Sequence, residues 1–124
     1  MKKATLKVHE KLKSSEILYE SGQYGDSVSI SYYVMYTAAK ILLFLKGIKP
    51  KTHKGLMQVF SKEYVHENDF NRELFKKFAY SQSLREQADY EFIDDINEKI
   101  AKNTLNLAKS FVKEASRFFK DLNR

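Results

Sequence analysis

One arginine stands out in the second half of the chain, in the segment LREQADYEF (84–92). Arg85 is followed by Asp89 four residues later and then by Tyr90. A guanidinium group is charged at every physiological pH and presents a planar fork of donors, so it needs an anionic partner. Asp89 offers an i,i+4 ion pair one helical turn away. The alternative is that Arg85 opens into a cleft and binds a phosphate.

A second candidate site is the turn KGIKPKTHK (46–54), which leads into a predicted helix. The free amides at a helix N-terminus attract anions, and a histidine there could transfer a proton. The alternative is a solvated turn in which Thr52 caps the helix. The candidate ligand-binding residues in this turn are Lys51, His53 and Lys54.

The third candidate group consists of Tyr32, Tyr33 and Tyr36. Tyrosines can stack on bases or donate a hydrogen bond to a phosphate, and Tyr32 and Tyr36 are the two that we assign to a ligand site. At this helical spacing they also suit a core or a dimer interface. His9 and His66 are isolated in polar segments, and we find no metal-ligand spacing, phosphate-binding glycine loop or serine nucleophile motif. We therefore expect neither a metal nor a cofactor.

Composition limits the class of protein further. The chain has 124 residues, which suits one domain over its whole length, and it has no cysteine for disulfides or thiolate ligands. Its net charge of +6 permits binding to phosphates without requiring it. No apolar run follows the first lysines, so we expect a cytoplasmic protein without a signal peptide. The apolar stretch 28–45 contains Ser29, Ser31, Thr37 and Lys40, which favours a buried helix over a membrane span.

Apolar residues recur at helical spacing along the chain, and no strand period survives. The first predicted helix covers residues 5–20, and the second runs from the SGQYGDS turn to about residue 46. The third covers residues 52–64, the fourth begins at about residue 71, and the last covers residues from about 93 to 122. Asp26 or Ser27 is expected to cap the second helix, Thr52 to cap the third, and Asp94 and Asp95 to occupy the first turn of the last. About 30 residues would make the last helix roughly 45 Å long.

Two helices of this predicted set matter most for a site. The second has apolar residues on more than one side, so neighbouring helices or a second subunit must cover it. In the fourth, Leu74, Phe78, Ser81 and Arg85 fall on one stripe, which places Arg85 on the inward face. The segment 65–71 between the third and fourth helices is expected to be a loop. The fold class that follows is an all-α, up-and-down antiparallel bundle of four to five helices.

Taken in order, SVSISYYVMYTAAKILLFLKGIKPKTHKGL (27–56) and LREQADYEF (84–92) on an all-helical chain of this length resemble the HEPN domain family. The resemblance covers nearly the entire chain. It implies a homodimer whose central and arginine-bearing helices lie near a shared cleft. Many HEPN members are metal-independent RNases, often toxins, with a motif of an arginine followed after four to six residues by a histidine. The family is also proposed to bind nucleotides, and its genes commonly adjoin one for a small nucleotidyltransferase.

This chain departs from that motif. Arg85 matches the arginine, but Tyr90, Glu91 and Phe92 stand where the histidine would be expected, and no histidine follows His66. Tyrosine, with a pKa near 10, is a poor base at neutral pH. His53 can replace the missing residue only if the fold brings it to the cleft.

Three hypotheses follow from the sequence. In the first, a non-catalytic homodimer binds a nucleotide, RNA or a nucleotidyltransferase partner through Arg85, Asp89, Tyr90 and the lysine turn. In the second, an RNase toxin uses Arg85 with Tyr90 or His53. In the third, Arg85 and Asp89 pair within a purely structural bundle.

Overall fold

The computed structural model describes residues 1–89 and 96–123. Its helices are α1 (Lys2–Glu20), α2 (Tyr24–Leu45), α3 (His53–Phe60), α4 (Arg72–Asp89) and α5 (Glu98–Ala115). A π-helical segment, Ser61–His66, continues α3, and a 3-10 turn, Lys120–Leu122, follows α5. No strand occurs in the described ranges, so the predicted all-α helical bundle is confirmed. The predictions for Tyr90, Asp94 and Asp95 fall outside those ranges.

Helix α2 lies at the centre of the bundle and packs against α1, α4 and α5. Its fully buried side chains include Val28, Val34, Met35 and Leu42. The neighbouring helices of the same chain thus supply much of the cover that its apolar faces require. Helix α2 is long and apolar enough to cross a membrane, but more than half of its apolar window is buried inside the bundle, as in a core helix.

Helices α1 and α2 are joined by buried hydroxyl groups. Ser15, Ser27 and Ser31 are each 0% exposed. The Ser15 hydroxyl lies 2.5 Å from that of Ser31 and 2.8 Å from the carbonyl oxygen of Ser27, while the Ser27 hydroxyl donates to the Ser15 carbonyl at 2.9 Å. Small hydroxyls allow close approach of the two helices and satisfy one another where water is excluded. This serine cluster fixes the position of α1 along α2.

The sequence predicts the C-terminal end of α2 correctly, but its prediction for the N-terminal cap differs from the structure. Gly47 has φ of 75°, a left-handed conformation that glycine adopts without strain, and it ends the helix as predicted. The predicted caps at the other end, Asp26 and Ser27, are wrong. Helix α2 already begins at Tyr24 after Gln23, without a side-chain cap. Ser27 is used in the serine cluster instead.

Helix α3 begins as expected. The Thr52 hydroxyl accepts a hydrogen bond from the amide of Gly55 at 2.9 Å and caps the helix. Because His53 is the first residue of α3, the cap at Thr52 also fixes the position of His53 at the start of the helix.

The predicted 65–71 loop is only partly correct. Val65 and His66 belong to the π-helical segment, and Phe70 is buried in the core with 1% exposure. Phe70 is held by aromatic neighbours, including Phe111 at 5.1 Å between ring centroids. The following residue, Asn71, accepts a hydrogen bond from the amide of Leu74, which agrees with the predicted start of α4.

The last helix is much shorter than predicted. It begins after Asn97, whose side chain accepts a hydrogen bond from the amide of Ile100, and it ends at Ala115. Its 18 residues make it about 27 Å long rather than 45 Å. The chain then turns, so that Phe118 contacts the ring of Tyr64 and Leu122 is buried. Packing of these two side chains onto the core explains why the helical pattern does not continue as one rod.

Candidate functional site

Two stripes of side chains face each other on α2 and α4. The α2 stripe is Ser29, Tyr32 and Tyr36, and the α4 stripe is Gln82, Arg85 and Asp89. Both have the helical spacing that places residues on one face. Ser29 donates a hydrogen bond to Asp89 at 3.0 Å, and Tyr32 donates one to Gln82 at 2.9 Å. Residues early in α2 therefore meet residues late in α4, as they do in antiparallel helices.

Arg85 lies at the edge of this contact rather than inside it. We predicted an inward position, but 37% of its side chain is exposed, whereas Phe78 and Ser81 on the same stripe are buried. Its guanidinium carbon lies 5.7 Å from the centroid of the Tyr32 ring. A long side chain can cover an aromatic ring with its stem while its charged group reaches solvent. This explains why the helical stripe overestimates the burial of Arg85.

The predicted ion pair is present but leaves much of the guanidinium unused. Nε of Arg85 lies 3.6 Å from Oδ2 of Asp89, a distance longer than a charge-assisted hydrogen bond. Asp89 is 54% exposed, and its other oxygen accepts from Ser29. Exposed pairs of this kind contribute about 0–1 kcal/mol. Among the described residues, the terminal nitrogens of Arg85 make no hydrogen bond, so they are available to an anion.

Tyr32 is the residue around which the site is built. Its side chain is 2% exposed, and its ring stacks on Phe78 at 5.5 Å. Burial, together with the neighbouring Tyr36, raises the pKa of Tyr32 to about 12. The hydroxyl therefore keeps its proton at physiological pH and acts as a hydrogen-bond donor.

His53 comes from a different part of the chain and joins the same ring. Its Nδ1 lies 3.1 Å from the hydroxyl of Tyr32, and its ring centroid is 4.4 Å from that of Tyr36. The Tyr32 hydroxyl has one hydrogen, and it donates that hydrogen to Gln82. Nδ1 of His53 must then donate the bond to Tyr32, so Nε2 of the neutral imidazole holds the free lone pair.

The electrostatics favour this neutral form. Partial burial lowers the pKa of His53 below its ordinary value of 6.5, and the nearby positive charges of Arg85 and Lys40 act in the same direction. Glu86 opposes them with a smaller effect than burial or Arg85. At neutral pH, His53 can thus accept a proton at Nε2 beside a permanently charged arginine. We call Tyr32, Tyr36, His53, Gln82 and Arg85 the Arg85–His53 cluster.

The other predicted site residues are less closely engaged. Lys51 is exposed on the turn and Lys54 is exposed in the first turn of α3. Their side chains contribute positive charge near the site and make no described contact with Arg85. Lys46 is held by Glu63 instead, at 2.9 Å from its carbonyl oxygen. Tyr90 lies outside the described residues. Within residues 1–89 and 96–123 no group of three or more metal-ligating side chains comes together.

Sequence reasoning missed two members of the site, Gln82 and Ser29. Both lie three residues before a residue that we named, Gln82 before Arg85 and Ser29 before Tyr32. This spacing was available as a signal, because residues three apart share a helical face. Uncharged polar side chains are common on exposed faces, so spacing alone did not distinguish these two from solvated residues.

Comparison with known proteins identifies the family of the chain. The HEPN domain family model matches residues 3–118. Two proteins of Methanocaldococcus jannaschii, each named "putative toxin", are 32% and 31% identical to this chain. The first alignment covers 95% of this chain and 80% of the relative, and the second covers 91% and 84%. A Thermotoga maritima protein named UPF0332 protein is 25% identical over 95% of this chain and 89% of its own length.

The matched region begins at the second residue of α1, continues through α5 and includes every residue of the Arg85–His53 cluster. Both the family match and the relatives above 30% identity extend over most of the chain. The protein described here is therefore a member of the HEPN domain family.

Proposed function

We propose that this protein is a cytoplasmic, toxin-like HEPN homodimer that binds RNA or a nucleotide by its phosphate at the Arg85–His53 cluster. The observation that carries the proposal is the position of Arg85, half exposed on the ring of Tyr32 with its terminal nitrogens free of described partners. Two such clusters would face a cleft between the two copies of the chain.

A phosphate can compete with Asp89 for Arg85. The existing contact is a single 3.6 Å approach between exposed groups, whereas a phosphate offers two oxygens to the planar fork of the guanidinium. Ser29 would retain its hydrogen bond to Asp89 when Arg85 turns toward the ligand. Lys51 and Lys54 add positive charge at the nearby helix terminus, which favours the approach of a polyanion.

The toxin-like role rests on the names of the two relatives from Methanocaldococcus jannaschii. A toxin of this kind needs a partner that controls it, and the family resemblance makes a nucleotidyltransferase the candidate. The Arg85–His53 cluster would be the surface that such a partner covers.

Binding is tested with a fluorescently labelled RNA and purified protein, by anisotropy at low salt. Arg85→Ala should weaken binding by roughly tenfold or more, because a charge-assisted bidentate contact is lost. Arg72→Ala is the matched control, since Arg72 is exposed at the start of α4, away from the cluster. Equal losses in both variants would reduce Arg85 to one of many surface charges and would contradict the proposed site.

A second candidate function, metal-independent RNA cleavage, is favoured by one specific observation. The fold brings His53 to the ring that Arg85 covers, and its Nε2 is free to take a proton. In this reaction Nε2 accepts the proton of the 2′-hydroxyl, and the 2′-oxygen forms a bond to phosphorus. The bond to the 5′-oxygen breaks, and that oxygen takes a proton from water. Arg85 stabilises the charge that develops on the phosphoryl oxygens.

Cleavage is tested in EDTA with His53→Gln and Arg85→Ala beside the parent protein. Each substitution should lower the rate by about 100-fold or more if its residue transfers the proton or stabilises the charge. His66→Gln is the control, because His66 is exposed in the π-helical segment. A protein that binds RNA but cuts none under these conditions leaves the binding function and removes the catalytic one.

A further inference from the structure

A groove lies beside the Arg85–His53 cluster, on the outer side of α2. It has a volume of about 520 Å³ and is bounded by the start of α1, the second half of α2 and the turn before α3. The lining side chains that matter here are Tyr33, Tyr36, Lys40, Phe44 and Lys49. We call it the α2 groove.

The chemistry of the α2 groove combines flat apolar rings with positive charge. Tyr33 is 37% exposed and Phe44 is 46% exposed, so both rings are accessible to a ligand. Lys49 lies 5.2 Å above the ring of Phe44, and Lys40 lies 5.7 Å from the ring of Tyr36. Among the residues that the structure describes, no carboxylate lines the groove. Such a surface suits a planar, uncharged group that is attached to an anionic chain.

The groove is continuous with the cluster through one residue. Tyr36 lines the groove and also stacks on His53, with 4.4 Å between ring centroids. His53 in turn bonds to Tyr32, on which Arg85 lies. A ligand with a phosphate at Arg85 would therefore find aromatic rings and lysines along one side of its path.

We propose that the α2 groove is a base-binding subsite, and that the substrate class of this site is single-stranded RNA rather than duplex RNA or a free nucleotide. The inference rests on the proposed function, because it places the adjoining phosphate at Arg85. An unpaired base can leave its stack and lie on Tyr33 or Phe44, while Lys40 and Lys49 neutralise the neighbouring phosphates. A base that is paired within a duplex keeps its faces covered and cannot enter.

The larger groove between α4 and α5 does not share these properties. It has a volume of about 620 Å³, and its lining includes Asn103, Asn106 and Ser110, with Lys77 as the single charged residue among the described ones. None of the five residues of the cluster lines it. Charge and continuity with Arg85 therefore select the α2 groove for the RNA chain.

The experiment measures the affinity of the full chain for three probes by anisotropy and competition. These are a labelled single-stranded RNA of roughly twelve nucleotides, the blunt duplex of the same sequence, and AMP. Tyr33→Ala and Phe44→Ala should each weaken single-strand binding by about fivefold or more while changing duplex binding much less, because only an unpaired base reaches these rings. Lys40→Gln should lower the slope of log affinity against log salt by about 0.7 for the single strand. Ile17→Ala is the control for loss of an exposed apolar side chain, because Ile17 is 55% exposed on α1, outside the groove.

Each other outcome overturns a defined part of the proposal. If Arg85→Ala loses binding but Tyr33→Ala and Phe44→Ala bind normally, the phosphate site stands and the base subsite is wrong. If the parent protein binds duplex as tightly as single strand, the substrate class is wrong. If the two aromatic variants change the mass measured by light scattering instead, the groove is an interface between copies of the chain. If the parent protein binds no RNA, the base subsite and the RNA-binding function fail together, and direct titration of the protein with AMP by calorimetry then tests the nucleotide alternative.

Discussion

The chemistry of this protein depends on which protonation states its side chains hold, and His53 is the residue where that choice matters most. Its ring bonds to a tyrosine that keeps its proton, and it lies near the permanent charges of Arg85 and Lys40. A histidine in these surroundings is neutral at pH 7 and remains neutral somewhat below its ordinary range. The lowered pKa of His53 should also make the free energy of unfolding depend on pH.

We expect the free energy of unfolding to fall as the pH drops below about 6.5, and part of that loss to come from His53. The pKa of His53 is lowered in the folded state, mainly by burial. Between the ordinary and the lowered value, the unfolded chain binds a proton that the folded chain does not, so acid favours unfolding. Above the ordinary value this contribution is fully present.

Urea unfolding at pH 5 and pH 8 checks the effect. His53→Gln should reduce the difference in unfolding free energy between the two pH values, whereas His66→Gln should leave it unchanged. A difference that is as large in His53→Gln as in the parent protein would show that other groups account for the whole pH dependence.

At the scale of elements, the sequence predicts a helix end well where residues next to that end determine it. Gly47 ends α2 and Thr52 caps α3, as their residue types require. The last helix was overestimated because its apolar spacing continues to Leu122, and only tertiary packing of Phe118 shows that the chain has turned. Arg85 was placed too deep for a similar reason, since a helical wheel does not describe the reach of a long side chain.

The site itself was predicted in part. Tyr32, Tyr36, His53 and Arg85 were all named as candidates, and the structure brings these four together. What the sequence did not show was their joint contact, because that contact depends on how α3 packs on α2 and α4. Gln82, which fixes the donor role of Tyr32, was missed for the same reason.

The serine cluster supplies a prediction about how α1 is held on α2. Ser31→Ala should lower the free energy of unfolding by about 1–3 kcal/mol, because the buried hydroxyl of Ser15 loses a partner and water cannot replace it. Chemical denaturation measures the change. Ser14→Ala is the control, since the Ser14 hydroxyl bonds only to the carbonyl of Glu10 on its own helix. If Ser31→Ala lowers the free energy of unfolding no more than the control does, the serines matter because they are small enough for close helix packing and not because of their hydrogen bonds.

At the scale of the whole molecule, the proposed homodimer needs an apolar surface near the arginine-bearing helix. Tyr80 on α4 is 67% exposed, the most exposed large apolar side chain among the described residues. It lines the groove between α4 and α5, which shares none of its described lining residues with the α2 groove assigned to RNA. A second copy of the chain that packs against α4 would cover Tyr80.

We therefore expect light scattering to give twice the chain mass of 14.6 kDa at micromolar concentration. Tyr80→Glu should return the measured mass to that of one chain, because it buries a charge in the interface. Ile17→Glu, which places the same charge on the exposed face of α1, should leave the dimer intact. A parent protein that is monomeric at this concentration would remove the shared cleft from the proposal and leave each Arg85–His53 cluster to act alone.

The placement of His53 and Arg85 on separate helices also bears on how the proposed RNA cleavage would be retained or lost among relatives. A histidine and an arginine that share one short motif lie within about two turns of the same helix. Here His53 lies on α3 and Arg85 on α4, so a substitution at one position leaves the other helix unchanged. If the proposed cleavage needs both residues, a relative that retains Arg85 without His53 is expected to bind RNA without cutting it.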